Sequence, residues 1–248
     1  MNIGINGFGR IGRTILKIAL EKRLKVVAIN DVHGAEYAAY LLKYDSIYGK
    51  YKGSVSFLND MLIVNGKKIK VISQRDPAMI NWREMGVDIV VESTGVFTDR
   101  ENASKHFATG AKYVIITAPA KQPDITIVPG VNQMNLNKDH KIISVASCTT
   151  NCTVPVVAVM LENPGVKKAV LSTVHGYTAT QGLVDKPDSK DWSRGRAAAL
   201  NIVPSSTGAA KATGKVLPAI DGKFDGVSLR IPVPSGSMID FTFVASRP

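Results

Sequence analysis

The N-terminal segment constrains this chain more than any other. Asn2-Ile-Gly-Ile-Asn-Gly-Phe-Gly-Arg-Ile-Gly-Arg13 contains Gly7-x-Gly9-x-x-Gly12. That spacing alone is weak. Here it follows a strand expected over Ile3–Asn6, opens a helix expected over Ile11–Leu20, and precedes a strand, Val26–Asp31, that ends on an acid. An acid about 20 residues past the glycines completes the dinucleotide-binding fingerprint. Gly7 permits the tight turn, Gly9 lets the backbone approach a pyrophosphate, and Gly12 lets the helix pack close to the strand. The helix N-terminus offers free N–H groups and partial positive charge to the phosphates. The Asp31 carboxylate accepts hydrogen bonds from an adenosine ribose and repels the extra phosphate of NADP, so NAD is the expected cofactor.

The rest of the first half continues in the same manner. Met61–Val64 and Ile69–Ile72 flank Asn65-Gly66, a strong hairpin signal. Val87–Val91, Tyr113–Thr117, Ile125–Val128 and Ile142–Val145 read as buried strands rich in Ile and Val. Continuous apolar runs of this kind fit a mostly parallel sheet covered by helices. The second half differs. Cys148–Leu161 reads as a helix, which Pro155 disturbs unless it lies in the first turns. Lys168–Val174, Val227–Ile231 and Ile239–Val244 read as strands, and an irregular stretch runs from about Ala179 to Asn201. A loop of that length inside a compact domain is usually functional. The natural cut is near Ser147, giving domains at 1–147 and 148–248.

Composition narrows the setting. Hydrophobic residues make up 45% of the 248, enough for a sizeable core. No apolar run approaches the roughly 18 residues that span a bilayer, and Met1 leads straight into a strand without a signal-peptide pattern. Two cysteines are no disulfide scaffold. A reducing cytoplasm is the expected location. The net charge of +11 admits nucleic-acid binding or a field that draws in anionic metabolites. The basic residues are scattered, without a dense tract, so nucleic acid is not expected as a primary ligand.

A nucleophile is legible next. The strand Ile142–Val145 runs into Ala146-Ser-Cys-Thr-Thr-Asn-Cys152, placing Cys148 at a helix N-terminus, where the dipole and free N–H groups stabilise a thiolate. A thiolate attacks carbonyl carbon readily. Cys152 is one turn further on. A disulfide would consume the nucleophile, and a metal would need two more ligands, so no metal is expected. The reading adopted is one reactive thiol, Cys148, and one buried small side chain, Cys152. Of the four histidines, His33, His106 and His140 read as solvated surface residues. His175 ends the apolar strand Val170-Leu-Ser-Thr-Val-His175 beside the irregular loop and is the candidate base.

These segments carry a resemblance. Asn6-Gly-Phe-Gly-Arg-Ile-Gly-Arg13, Ser147-Cys-Thr-Thr-Asn-Cys152, His175-Gly-Tyr-Thr-Ala-Thr-Gln181 and Ser206-Thr-Gly-Ala-Ala-Lys211 stand in the order and spacing of the phosphorylating glyceraldehyde-3-phosphate dehydrogenases. The chain is similar to that family along its whole length. The resemblance implies an α/β Rossmann dinucleotide-binding domain followed by an α+β catalytic domain with a largely antiparallel sheet. It implies Cys148 as nucleophile and His175 as its activator. Arg10, Ile11, Asp31, Arg75, Thr94, Gly95 and Thr117 match positions that hold NAD, alongside Gly7, Gly9 and Gly12. Ser147, Thr149, Thr178, Thr207, Gly208 and Arg230 match the two anion sites, and Arg194 matches a further phosphate-contacting arginine.

The implied substrates are glyceraldehyde 3-phosphate and inorganic phosphate, and the implied assembly is a homotetramer. The alternatives are an erythrose-4-phosphate dehydrogenase, an aspartate-semialdehyde or acyl-phosphate reductase, and an inactive NAD-binding fragment with a binding role. Thr178-Ala-Thr and Ser206-Thr-Gly-Ala-Ala favour glyceraldehyde 3-phosphate. Three departures stand out. Gly176 replaces the usual Ala or Ser and is expected to loosen its loop. Gly182 stands where a basic residue is common, which weakens phosphate attraction slightly. Members also continue past the position of Pro248, to an Asn that orients the nicotinamide and a final helix, so the chain is expected to be C-terminally incomplete.

Overall fold

The structure, a computed structural model, describes residues 1–189 and 191–247. The irregular stretch expected over 179–201 is therefore described on either side of Lys190. The chain divides into two compact units, one of Met1–Ile127 with Leu136–Val145, the other of Val128–Asn135 with Ala146 onward.

The first unit is built around β1 (Asn2–Asn6), α1 (Arg10–Glu21) and β2 (Lys25–Asn30). There follow α2 (Gly34–Lys43), β3 (Val55–Leu58), β4 (Met61–Val64), β5 (Lys67–Ile72), β6 (Ile89–Glu92), α3 (Arg100–Ala108), β7 (Tyr113–Ile116), β8 (Ile125–Thr126) and β9 (Ile142–Ser144). One sheet joins the strands in the order β3-β4-β5-β2-β1-β6-β7-β9-β8. Every pairing from β5 through to β8 is parallel, and β3, β4 and β5 pair antiparallel. The Asn65-Gly66 hairpin forms as expected, with both residues at positive φ, which Asn and Gly tolerate. Ile5, Leu16, Ile29, Leu42, Leu62 and Val64 form its main core, fully buried. At roughly 25 cal/mol per Å², each such side chain contributes about 1.5–3 kcal/mol. The strand expected over Ile125–Val128 is shorter than expected: only Ile125 and Thr126 lie in register with β9, and a last bond from the Ile127 N–H to Ser144 O closes the pairing.

His106 contradicts the surface reading. It is fully buried on α3, and Trp82 Nε1 donates to its Nδ1 at 2.9 Å. Indole only donates, so Nδ1 is the acceptor and Nε2 carries the proton, facing Glu92 Oε2 at 3.2 Å. α3 is polar in composition, and its inward face combines this hydrogen-bond network with the apolar Ala103 and Phe107.

The second unit carries α4 (Cys148–Glu162), β10 (Val166–Gly176), β11 (Val203–Ser206), α5 (Ala209–Val216), β12 (Phe224–Ile231) and β13 (Ser237–Ala245). Its sheet runs β11-β12-β10-β13. The outer pairs are antiparallel and the central pair, β10 with β12, is parallel, so the sheet is mixed. Val157, Leu171, Ala210, Ile220 and Phe224 form the core between the helices and one sheet face. Pro155 lies two turns into α4, deeper than the first turns, and the helix continues through it at the cost of one backbone bond.

Candidate functional site

Two candidate sites exist, one in each unit. In the first, a cavity of about 370 Å³ opens at the C-terminal ends of β1, β2 and β6, where open parallel sheets bind ligands. Asn6, Gly7, Gly9, Asp31, Arg75 and Thr94 line it. Arg10, Ile11 and Gly12 form the first turn of α1, and Gly95, at φ 75°, lies between the lining residues Thr94 and Val96. Thr117 follows β7, next to β6, and its N–H and hydroxyl both donate to the Glu92 carbonyl, at 3.0 and 3.1 Å.

The three fingerprint glycines differ in what surrounds them. A Cβ on Gly7, at φ 90°, would lie 2.7 Å from Thr94 N, and one on Gly12 would lie 2.1 Å from Gly7 O. Both positions are fixed by packing within the unit. A Cβ on Gly9 would meet no atom within 4 Å. The glycine there leaves room for something outside the chain, and it sits at the N-cap of α1 with no side-chain cap. Free N–H groups, an open glycine and an acid at the end of β2 fit a dinucleotide pyrophosphate and its ribose. Asp31 is already ordered: Oδ2 accepts the Phe8 N–H at 2.9 Å, and Oδ1 accepts the His33 N–H at 3.0 Å.

The floor of the cavity is tied together by residues the sequence reading missed. Glu92, fully buried at the end of β6, accepts from Asn6 Nδ2 at 2.5 Å, from Thr94 N at 2.8 Å and from the Thr94 hydroxyl. Asn30 Nδ2 donates to Asn6 Oδ1 at 2.7 Å, and Asn30 Oδ1 accepts the Gln74 N–H at 2.8 Å. Polar residues ending three neighbouring parallel strands were the available signal.

In the second unit, Cys148 is the first residue of α4 and is exposed. Ser147 is the N-cap, and its hydroxyl accepts the Thr150 N–H at 3.0 Å. Just before it, Ala146 takes a left-handed conformation, φ 57°, that favours glycine. Cys148 Sγ lies 3.2 Å from His175 Nε2. Thr149 is buried, with Oγ1 3.9 Å from the same sulfur. Cys152 is exposed, which corrects the buried reading: one turn along the helix from an exposed residue is the same face.

His175 Nδ1 is 2.6 Å from the Gly176 carbonyl and 2.8 Å from Arg230 Nη1. A protonated Nδ1 donates to Gly176 O, and Arg230 Nη1 then donates to that same carbonyl at 3.2 Å. This tautomer leaves the Nε2 lone pair facing the thiol. Burial, and then the like charge of Arg194, push the Arg230 guanidinium below its ordinary value, while the Cys148 sulfur acts in the opposite sense. A guanidinium beside the thiol–imidazole pair suits an anion.

Thr178 Oγ1 is 2.9 Å from Thr180 Oγ1, and the Thr178 N–H donates to the buried Gln181 at 3.3 Å. Thr207 and Gly208 precede α5, where the Thr207 hydroxyl accepts the Ala209 N–H at 3.2 Å. Gly176 does not loosen its loop. A Cβ there would lie 2.7 Å from Val233 O, so the glycine allows residues 233–236 to pack close. Gly182 is likewise packed, its absent Cβ falling 2.6 Å from Val184 O.

A parallel-sheet unit with a dinucleotide cavity, joined to a mixed-sheet unit with a thiol–imidazole pair, defines a two-domain dinucleotide-dependent dehydrogenase. Comparison with known proteins agrees. The profile described as glyceraldehyde 3-phosphate dehydrogenase, NAD binding domain, matches residues 1–100, and that for the C-terminal domain matches residues 147–248. Glyceraldehyde-3-phosphate dehydrogenase of Ogataea parapolymorpha is 53% identical over 100% of this chain and 74% of its own. The Streptomyces coelicolor protein of that name is 52% identical with the same coverage. The cytosolic protein of Gracilaria gracilis is 54% identical over 97% of this chain and 72% of its own. The chain belongs to the glyceraldehyde-3-phosphate dehydrogenase family, and its cofactor is NAD. No helix among the described residues is long and apolar enough to cross a membrane.

Proposed function

We propose that this chain oxidises glyceraldehyde 3-phosphate, with NAD and inorganic phosphate, to 1,3-bisphosphoglycerate in glycolysis. The observation that carries the reading is the Cys148 sulfur 3.2 Å from His175 Nε2, at the start of a helix. His175 takes the thiol proton, and the thiolate attacks the aldehyde carbon to form a thiohemiacetal. The Cys148 N–H, one of the helix's N-terminal donors without an intrahelical acceptor, and protonated His175 stabilise the oxyanion. His175 returns its proton to that oxygen, giving the thiohemiacetal hydroxyl, and takes it back as hydride leaves the carbon. NAD, when bound, supplies the hydride acceptor. The resulting thioester is attacked by phosphate, the Cys148 thiolate leaves, and the acyl phosphate is released.

Arg230 and Thr178 suit the substrate's own phosphate. Ser147, Thr149, Thr207 and Gly208 suit the attacking phosphate, and Arg194 serves either. Gly7, Gly9, Arg10, Ile11, Gly12, Asp31, Arg75, Thr94, Gly95 and Thr117 are assigned to NAD, in a domain of residues 1–147, with catalysis in 148–248. The same reading makes the protein a cytoplasmic homotetramer. In support of self-association, Val170, Val227 and Val244 are exposed on one face of the second sheet. Cys148→Ser tests the chemistry: turnover collapses while calorimetry still reports NAD binding. Near-normal turnover in that variant contradicts the covalent scheme.

A further inference from the structure

His33 is no part of the dinucleotide fingerprint, yet it sits on the fingerprint's acid. Its Nδ1 lies 2.9 Å from Asp31 Oδ1, the oxygen that also takes its backbone N–H. The His33 side chain is 63% exposed, and the Asp31 side chain only 19%. The imidazole centroid is 5.3 Å from that of Tyr37. Phe8 links this pair to a cation: its N–H donates to Asp31, and its carbonyl accepts from Arg13 Nη1 at 3.2 Å. Arg13 Nε is buried without a hydrogen-bond partner. Arg75 lines the same cavity as Asp31.

An acid at the end of the second strand excludes NADP because a bare carboxylate repels a 2′-phosphate, and a nearby arginine reverses the preference. Here the carboxylate is not bare. While His33 is neutral it adds no charge beside Asp31, and the exclusion holds. A protonated His33 donates Nδ1–H to Asp31, offsets its charge, and carries a second donor at Nε2. We propose that His33 makes cofactor selection at Asp31 depend on pH, so that in mildly acid solution the site accepts a dinucleotide bearing a 2′-phosphate as well as NAD. This rests on reading Gly7–Asp31 as the dinucleotide site.

The charges around His33 come from several elements. Asp31 directly follows β2, and Glu36 lies in the first turn of α2. Tyr37 follows on α2. Arg13 on α1 feels Asp31, Tyr37, Arg10 and Asp45. His33 is also the N-cap of α2, at its positive end. Asp31 and Glu36 attract an imidazolium, while Arg13 and the helix end repel it. Histidine as a side chain changes charge between about pH 5 and 8.

The test is calorimetric binding of NAD and NADP at about pH 5.5 and about pH 8, to the unaltered chain and to His33→Gln. Glutamine can donate a hydrogen bond but cannot become charged. Both proteins see the 2′-phosphate's own titration near pH 6, so comparing them removes it. Dividing the NADP-to-NAD affinity ratio of the unaltered chain by that of His33→Gln gives the readout. It is expected to be about tenfold larger at the lower pH, equivalent to about 1.4 kcal/mol. A quotient that does not change with pH overturns the inference. Failure of both proteins to bind NAD at the higher pH would instead overturn the dinucleotide reading on which it rests.

Discussion

Arg230 Nη1 lies 2.8 Å from His175 Nδ1, on the opposite side of the imidazole ring from the Cys148 sulfur. The parallel pairing of β10 with β12 sets His175 directly against Arg230 in register. Both groups donate to the Gly176 carbonyl, so one arginine is tied to the base through that oxygen and helps to form the anion site. Arg230→Gln should raise KM for glyceraldehyde 3-phosphate by roughly 10- to 100-fold, the loss of a charged hydrogen bond worth about 1.5–3 kcal/mol. Lysine should recover only part of this, lacking the planar fork. Steady-state kinetics with phosphorylated and unphosphorylated glyceraldehyde checks the assignment. An equal loss on both substrates would mean that Arg230 acts only through His175.

The fingerprint glycines should separate cleanly. Gly12→Ala drives a Cβ to 2.1 Å from Gly7 O and should lower stability by about 1–3 kcal/mol or more. Gly9→Ala meets nothing within 4 Å. It should keep the melting temperature and weaken NAD binding by about tenfold or more, about 1.4 kcal/mol. Calorimetry on both variants tells the two effects apart.

Gly176→Ala should be costly although alanine is a small change. Its Cβ would fall 2.7 Å from Val233 O, and the Gly176 carbonyl is the acceptor that orients His175. The expected loss is about 1–3 kcal/mol of stability together with a lower kcat. Denaturant unfolding and initial rates, measured on the same preparation, test both parts.

Asp124 should make the first unit sensitive to acid. Burial pushes its carboxyl up, but bonds from Arg100 and from the Ile142 and Lys141 N–H groups outweigh burial, and the carboxyl sits below its ordinary value. A lowered carboxyl contributes stability above the unfolded value near 4 and loses it as pH falls through the folded value. Asp124→Asn should therefore cost about 1–3 kcal/mol at about pH 7 and progressively less below about pH 4. Urea unfolding across that range checks the sign. A penalty that stays constant with pH would show that the charge is not what stabilises.

What could be read from the chain was local. Gly7 to Asp31, the Asn65-Gly66 hairpin and the Ser147 cap before Cys148 all depend on neighbours in sequence, and the structure forms each of them. His175 could be placed at a strand end, but its contact with Cys148 spans 27 residues and needed the fold. The Arg230 contact spans 55 and depends on a parallel register invisible in the sequence. His106 was misread because a polar helix gives no sign that its inner face closes on Trp82 and Glu92. Cys152 was misread although helical spacing alone puts it on the face of Cys148.

The most direct test of the account is to catch the enzyme part-way. Mixing the protein with glyceraldehyde 3-phosphate and NAD while withholding inorganic phosphate should leave an acyl group on the chain. Peptide mass spectrometry should place it on Cys148, and adding phosphate should remove it as acyl phosphate. No adduct while phosphate is withheld, or an adduct confined to Cys152, would contradict a thioester at the start of α4.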